Sequence, residues 1–340
     1  MDVVSHLLLA RMVAALRTSR AGVRGVVAAT VVGGIAPDVD AVLTAFGWDV
    51  YLRWHDAGTH AIVGTPLAAL LAAAAVRPWS PAPFGALVRA GWFGALSHVA
   101  FDLYSGASIR ILWPFSHHLF TTPVVAMADP LAIAAVVAGA VALWVWPREA
   151  RTAGVLTMAL LTLLCAVKLV TRARAVTAYE RTVAGAPIVG TVLEASWGSW
   201  RGWRVFDRLA DGRVRAFAAD GWSGDVRPRF SHAGNHEEPF AHLSLAQFAT
   251  ARNFVAAHPF AFATRRETDG GAVVFWSDAR YCWPASERTD PQEGVPHQDV
   301  RPAIGDVRCA LWFGGSLDAQ GQPREALVWL GGHLQRRRTP

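Results

Sequence analysis

Residues 1–175 alternate long apolar runs with short polar breaks, and this pattern limits what the chain can fold into. Runs rich in Ala, Val and Leu occupy six segments, at 3–16, 22–36, 61–76, 84–104, 123–146 and 152–171. A helix needs roughly 20 apolar residues to cross a bilayer, a length that only the last three segments reach. We therefore expect an α-helical integral membrane bundle of about six membrane helices, of which four to six span.

Residues 176–340 have an ordinary soluble composition rich in Trp, Gly and Pro, and we expect them to form a small β-rich α+β domain. An Asp-Gly pair at 211–212 divides two alternating stretches within 203–220, which predicts a hairpin. Strands are also expected within 272–283 and 306–315. The stretch 244–258 has helical periodicity, with Ser244 as its N-cap. The predicted domains are therefore residues 1–175 and 176–340.

The net charge of +6 comes mostly from the membrane half, where arginines cluster in particular breaks. An excess of this kind is typical of helix ends that face the cytoplasm, not of a nucleic-acid surface. When the segments are threaded alternately, the His- and Asp-containing breaks meet on the side opposite most loop arginines. We therefore expect that side, with the C-terminal domain, to be extracytoplasmic. Three cysteines are too few for a disulfide framework, but Cys282 and Cys309 could pair in that compartment.

The break "PDVDAVLTAFGWDVYLRWHDAGTH", residues 37–60, concentrates ionisable residues between two apolar segments. Pro37 stops the incoming helix, and Asp38 and Asp40 flank the turn. His55 and His60 then precede the third segment. Taken separately, the carboxylates could be a helix cap with a solvated turn, and the histidines could be interfacial residues of an aromatic belt.

A second constellation lies inside the fourth segment, where "SHVAFDLYS" places His98 four residues before Asp102. On a helix this spacing puts both side chains on one face, within reach of a shared metal ion. A buried His–Asp hydrogen bond would produce the same spacing. His6, at the start of the first segment, is the least specific candidate.

Together these residues favour a metal centre, because ionisable groups at membrane depth are costly and tend to be functional. Nitrogen and oxygen ligands without paired cysteines suggest a site for two or more divalent ions, with Zn favoured and Mn or Mg possible. Such a site suits hydrolysis by metal-activated water, with Asp40 and Asp102 as candidate catalytic carboxylates. The predicted ligands are His6, Asp38, Asp40, His55, His60, His98 and Asp102.

The loop after the fourth segment carries polar residues that could contact substrate. These are Ser105, Arg110, His117 and His118, of which Arg110 suits a phosphate group. A plain interfacial loop would have a similar composition.

These motifs together resemble the LexA-regulated, membrane-bound, metal-dependent hydrolase family (YdjM-like). The resemblance rests on His6, Pro37-Asp38-x-Asp40, His55-x-x-x-Thr59-His60, His98-x-x-x-Asp102 and "GASIRILWPFS" at 106–116. It covers residues 1 to about 130 and implies an inner-membrane hydrolase of unsettled substrate. The family's second motif has Arg where this chain has Asp56, which reverses a charge that could meet an anionic substrate. The ligand order is also loosely similar to that of zinc-dependent phospholipase C.

The function expected from the sequence is therefore that of a multi-pass hydrolase of the bacterial inner membrane. Its position at the interface favours an amphiphilic substrate, such as a lipid or lipid-linked phosphoester, with membrane lipid as the surrounding partner. One alternative is a metal-binding sensor or transporter without a hydrolytic step. Another is a membrane anchor whose site has decayed, for which Asp56 is the best support.

Overall fold

The computed structural model describes residues 3–17, 24–55, 57–284, 307–330 and 333–338. The N-terminal part is helical, as the apolar runs predict. Its α-helices are α1 (Val3–Arg17), α2 (Arg24–Ile35), α3 (Trp48–Trp54), α4 (Gly64–Val76), α5 (Phe84–Tyr104), α6 (Pro130–Val145) and α7 (Ala150–Thr182). Short 3-10 helices at Pro37–Ala45 and Gly58–His60 lie on either side of α3.

Helices α2 and α5 cross closely because glycines form their contact. A Cβ atom on Gly33 would lie 2.1 Å from the carbonyl oxygen of Gly91, and one on Gly94 would lie 2.0 Å from that of Thr30. Small residues of this kind let two backbones approach each other in membrane helices. The crossing brings the C-terminal end of α2 beside the middle of α5, where His98 lies.

The described residues contain fewer membrane spans than the six apolar segments predict. Among the described residues, only Pro147–Thr182 is long and apolar enough to cross a membrane by itself. The number rises to three if two bent helix pairs each count as one span, namely Gly25–Ile35 with Pro37–Ala45 and Trp48–His60 with Gly64–Trp79. The expectation of about six membrane helices is therefore not supported.

The number of spans is lower than predicted because of where the helices begin and because of the polar residues within them. The predicted segment 123–146 becomes helical only at Pro130, because the Asp129 side chain caps that helix by accepting a hydrogen bond from the Leu131 N–H. The helix has 16 residues, short of the roughly 20 that a span requires. Helix α5 has 21 residues but contains Arg89, His98 and Asp102, which lower its mean hydropathy.

The buried Lys168 ammonium connects α7 to this cap. Lys168 Nζ donates to Asp129 Oδ2 at 2.7 Å and to the Ser199 carbonyl oxygen at 2.8 Å, and both charged side chains are fully buried. The pair satisfies two groups that would be costly to bury singly.

The C-terminal part is rich in antiparallel β-structure, as expected. One sheet has the order β1-β2-β3-β4 and a second has the order β11-β10-β9-β6-β5, with a two-stranded β7-β8 pair beside them. The strands are β1 (Ile188–Ala195), β2 (Gly202–Leu209), β3 (Val214–Asp220), β4 (Val226–His232), β5 (Ala261–Thr268), β6 (Gly271–Asp278), β7 (Cys282–Pro284), β8 (Val307–Cys309), β9 (Leu311–Asp318), β10 (Pro323–Leu330) and β11 (His333–Arg338). The hairpin expected at 203–220 is β2–β3.

The helix predicted at 244–258 is instead two helices, α8 (Pro239–Gln247) and α9 (Ala249–Ala257). Phe248 interrupts them with an extended backbone, because its ring is buried against Gly315, where a Cβ would lie 2.1 Å from the ring. Ser244 is therefore not an N-cap. Its buried hydroxyl accepts a hydrogen bond from the Trp276 indole at 3.3 Å.

Two compact units account for the chain. The first comprises Met1–Val170 with Trp197–Trp200, and the second comprises Thr171–Ser196 with Arg201–Pro340. In the second unit a disulfide joins Cys282 on β7 to its cross-strand neighbour Cys309 on β8.

Candidate metal centre

His98 is the most rigidly placed of the predicted site residues. Its Nδ1 atom donates to the carbonyl oxygen of Gly34 at 2.8 Å, across the close crossing of α2 and α5. Because that bond uses the ring proton, Nε2 carries the lone pair. Asp102, one turn further along α5, places Oδ2 3.0 Å from this Nε2 atom. Both side chains are buried, so the i, i+4 pair shares one inward face, as the spacing predicts.

His6 reaches the same point from α1. Its ring stacks on that of His98 with centroids 3.8 Å apart, and its Nε2 atom lies 3.1 Å from Asp102 Oδ1. The contact with Asp102 lacks hydrogen-bond geometry, and neither ring nitrogen has a hydrogen-bond partner among the described residues. An imidazole is rarely buried with both nitrogens unsatisfied, which makes His6 a strong candidate ligand.

The two carboxylates of the PDVD turn diverge from each other. They lie on a 3-10 helix that begins at Pro37, directly after α2 ends. Asp38 Oδ1 is 3.5 Å from His98 Nε2 and 3.7 Å from His60 Nε2. Asp40 instead accepts a hydrogen bond from the Thr59 hydroxyl at 2.7 Å and lies 3.0 Å from His55 Nδ1.

His60 lies between these two carboxylates. It ends the short 3-10 helix Gly58–His60, and its side chain is buried. Its Nε2 atom is 3.3 Å from His98 Nε2 and 3.5 Å from Asp102 Oδ2. Its Nδ1 atom is 3.1 Å from the Thr59 hydroxyl. His60 therefore faces the α5 residues with one nitrogen and the Asp40 network with the other.

The structure thus brings all seven predicted ligands into one cluster, in which Asp38 and His55 are half-buried and the other five are buried. Three groups in it have ligand atoms within 4.8 Å of one another, namely His6–His98–Asp102, Asp38–His60–His98 and Asp40–His55–His60. The cluster contains three carboxylates and four imidazoles, so its net charge is negative when all four rings are neutral. The unpartnered nitrogens of His6 and the unpartnered Asp38 Oδ2, judged within the described part of the chain, fit divalent cations. That these residues ligate metal stays a prediction.

The predicted substrate residues are not all near this cluster. Ser105 is buried just after α5, where its hydroxyl donates to the Asp102 carbonyl oxygen at 3.2 Å. Arg110 is half-buried, and its Nη1 atom has no hydrogen-bond partner in the described residues. His117 and His118 are exposed, and the His118 ring lies edge-on to Phe120.

Two contacts place the Arg110 loop beside the His55–His60 segment. The Ile62 N–H donates to the Ile111 carbonyl oxygen at 2.9 Å. The Trp54 and Trp113 rings meet edge to face at 6.4 Å between centroids. Arg110 therefore directly precedes Ile111, whose carbonyl oxygen is bonded to Ile62, two residues after His60.

Sequence reasoning missed two groups that support the histidines. Every residue has a backbone carbonyl, so the sequence does not identify Gly34 as the acceptor for His98. Only the contact between α2 and α5 shows this role. Thr59 is visible within the His55-x-x-x-Thr59-His60 motif, but its role depends on the proximity of Asp40. Asp56, whose charge the sequence singled out, lies outside the described residues.

Comparison with known proteins agrees with this picture. The profile of the YdjM inner membrane protein family matches residues 1–175. The chain belongs to that family. The match covers the helical part that contains every predicted ligand of the YdjM-family chain, and it confirms the resemblance drawn from the motifs. No curated protein and no solved structure matches the chain.

Proposed function

We propose that this YdjM-family chain is a membrane-bound, metal-dependent hydrolase that cleaves a lipid or lipid-linked phosphoester at the membrane interface. The observation that supports the proposal best is the pair of buried Nε2 atoms of His60 and His98, 3.3 Å apart. Two nitrogen lone pairs do not face each other at this distance without a cation or a proton between them. Carboxylates of Asp38 and Asp102 lie beside the pair, which favours cations.

Metal ions at this cluster would supply water of lowered pKa and positive charge for the developing oxyanion. The donor set of imidazoles and carboxylates suits Zn or Mn. The chain's own residues would hold the ions and accept or donate protons. Asp38 Oδ2, unpartnered in the described residues, is free to accept the proton of an attacking water. Asp40 and Asp102, the predicted catalytic residues, both have oxygens close to histidine nitrogens.

Arg110 supports a phosphoester over a carboxylic ester. Its buried Nη1 atom has no partner among the residues that the structure describes, which is costly unless an anion pairs with the guanidinium. Arginine binds phosphate through paired N–H donors. Phe115, on the same loop, is 86% exposed. An anionic head with an apolar tail matches this combination.

The disulfide supports an extracytoplasmic location for the C-terminal unit. Disulfides persist in oxidising compartments and are rare in the cytoplasm. Cys282 and Cys309 are both buried at neighbouring positions of β7 and β8. Alkaline phosphatase fused after residue 338 is expected to be active in cells, and an inactive fusion would contradict this orientation.

The activity is tested with the full chain purified in detergent. Elemental analysis is expected to find bound Zn or Mn, and a chelator is expected to abolish hydrolysis of phosphatidic acid or of a phospholipid diester. Adding the metal back restores turnover, whereas a carboxylic ester is a poor substrate. Metal-replete protein that hydrolyses none of these phosphoesters would contradict the proposal.

The alternative functions make different predictions in the same preparation. A metal transporter would move Zn or Mn into proteoliposomes without turnover. A membrane anchor with a decayed site would contain no bound metal.

A further inference from the structure

In the third group of candidate ligands, Asp40–His55–His60, the carboxylate is hydrogen-bonded to a hydroxyl that also contacts a histidine of the group. Asp40 accepts from the Thr59 hydroxyl through Oδ2 at 2.7 Å, and Oδ1 lies 3.0 Å from His55 Nδ1. Both carboxylate oxygens are therefore engaged within the protein, and the Asp40 side chain is buried. Asp38 differs, since its Oδ2 atom has no partner among the described residues.

The protons can be assigned along this network. The single hydroxyl proton of Thr59 goes to Asp40, so the Thr59 oxygen can only accept from His60 Nδ1, 3.1 Å away. Nδ1 therefore carries the ring proton of His60, with Asp40 Oδ2 also within 3.5 Å of it. The lone pair of His60 is left on Nε2, the atom that faces Asp38, Asp102 and His98.

His98 is oriented in the same way by a different acceptor. Its Nδ1 atom donates to Gly34, and its Nε2 atom faces the same point. Metal-binding histidines generally donate their second nitrogen to a carboxylate or carbonyl, which fixes the ring and raises its basicity. At His60 the Thr59 hydroxyl, bonded to Asp40, has that role.

The spacing of the two carboxylates explains why they separate. A 3-10 helix has about three residues per turn, so positions i and i+2 project in directions about 120° apart. Asp38 and Asp40 lie on such a helix. One carboxylate therefore lies on the Nε2 side of His60 and the other on its Nδ1 side.

We propose that Asp40, Thr59 and His55 are not metal ligands but a supporting network that fixes the tautomer and orientation of His60. The ligands are then His6, Asp38, His60, His98 and Asp102, shared by two ions. This inference rests on the metal centre of the proposed function, and it reassigns Asp40 and His55 from the predicted ligand set. Asp40 becomes a positioning residue.

The test measures metal stoichiometry and affinity, not activity. The full chain in detergent is stripped with a chelator, dialysed against Zn²⁺ at saturating and limiting concentrations, and assayed by elemental analysis with a competing chromophoric chelator. Asp40→Asn and Thr59→Val are expected to keep the wild-type number of ions at saturation, with affinity lowered about 10–100-fold. Asp38→Asn is expected to bind fewer ions at saturation.

Thr59→Ser is the matched control, because it retains the hydroxyl and should restore affinity to within a few-fold of wild type. A lower number of ions in Asp40→Asn would overturn the inference and make Asp40 a ligand. Equal affinity of Thr59→Val and Thr59→Ser would overturn it as well. If Asp40→Asn fails to fold, the two Thr59 variants still decide between the outcomes.

The failure of this inference is distinct from that of the proposed function. A wild-type chain that binds no Zn²⁺ would overturn both. A chain that binds metal with the expected variant pattern but hydrolyses no phosphoester would overturn the proposed function alone.

Discussion

The Nε2 atoms of His60 and His98 lie 3.3 Å apart although 38 positions separate the two residues in the chain. His98 is held by Gly34 and His60 by Thr59, each through the opposite ring nitrogen. Both rings are therefore presented with their lone pairs towards the same buried point.

Removing a residue from this point should remove metal. His98→Ala and Asp102→Ala are each expected to lower bound metal at saturation and to reduce hydrolysis by more than the roughly 10–100-fold typical of supporting residues. Elemental analysis and turnover are measured on the same preparations. His242→Ala, a change to an exposed histidine outside the predicted site, serves as control and should retain both. Full activity in either ligand variant would refute the assignment.

The glycine contact between α2 and α5 should be required for the site. Gly94→Ala places a Cβ 2.0 Å from the Thr30 carbonyl oxygen, so the helices must separate and Gly34 moves away from His98. We expect a loss of about 1–3 kcal/mol in the free energy of unfolding and weaker metal binding. Chemical unfolding in detergent and metal titration measure the two effects.

Gly85→Ala is the matched control on the same helix, because its new Cβ would meet no described atom within 4 Å beyond the adjoining backbone of its own helix. It should leave metal binding unchanged and stability equal or up to about 1 kcal/mol higher. If Gly94→Ala and Gly85→Ala changed stability and metal binding equally, helix propensity and not the close crossing would be the cause of the change.

The sequence predicts these parts of the molecule to different degrees. The i, i+4 spacing of His98 and Asp102 determines a shared face because any α-helix imposes it, and the structure confirms that geometry. The separate positions of Asp38 and Asp40 depend on a 3-10 turn and on contact with Thr59, which are tertiary features. Apolar length overestimated the number of spans, because the start of α6 depends on a capping carboxylate, Asp129, and not on composition. Phe248 likewise divides a helix that periodicity alone would continue.

Arg110 should determine preference among substrates. Arg110→Gln is expected to raise KM for a phosphoester about 10-fold or more, since one charge-assisted contact contributes roughly 1.5–3 kcal/mol. The bound metal and the low turnover of a carboxylic ester should not change. Arg53→Gln alters an exposed arginine on α3 and is the control. Equal KM values for the two variants would exclude Arg110 from phosphate binding.

The disulfide should stabilise the second unit. Its cysteines are 27 positions apart, for which loop-closure entropy gives about 3.5 kcal/mol. A Cys282→Ala, Cys309→Ala double variant should lose about this much free energy of unfolding, and a reductant should lower wild-type stability by a similar amount. Cys165→Ser, at the free cysteine, should respond to reductant as wild type does. No response in the wild type would mean that the bond does not form.

Acid should destabilise the second unit through His258. Burial is the main reason that the pKa of His258 falls to about 4 from its ordinary 6.5. The Arg280 charge also lowers this pKa, whereas the nearby Asp278 carboxylate raises it. Between pH 6.5 and about pH 4, His258 therefore binds a proton in the unfolded chain but not in the folded chain. Stability should be highest above pH 6.5 and should fall by at most about 3 kcal/mol as the pH drops to 4. Unfolding curves at several pH values measure this slope, and His258→Asn should flatten it, because Asn does not titrate. An unchanged slope in His258→Asn would assign the acid sensitivity to another group.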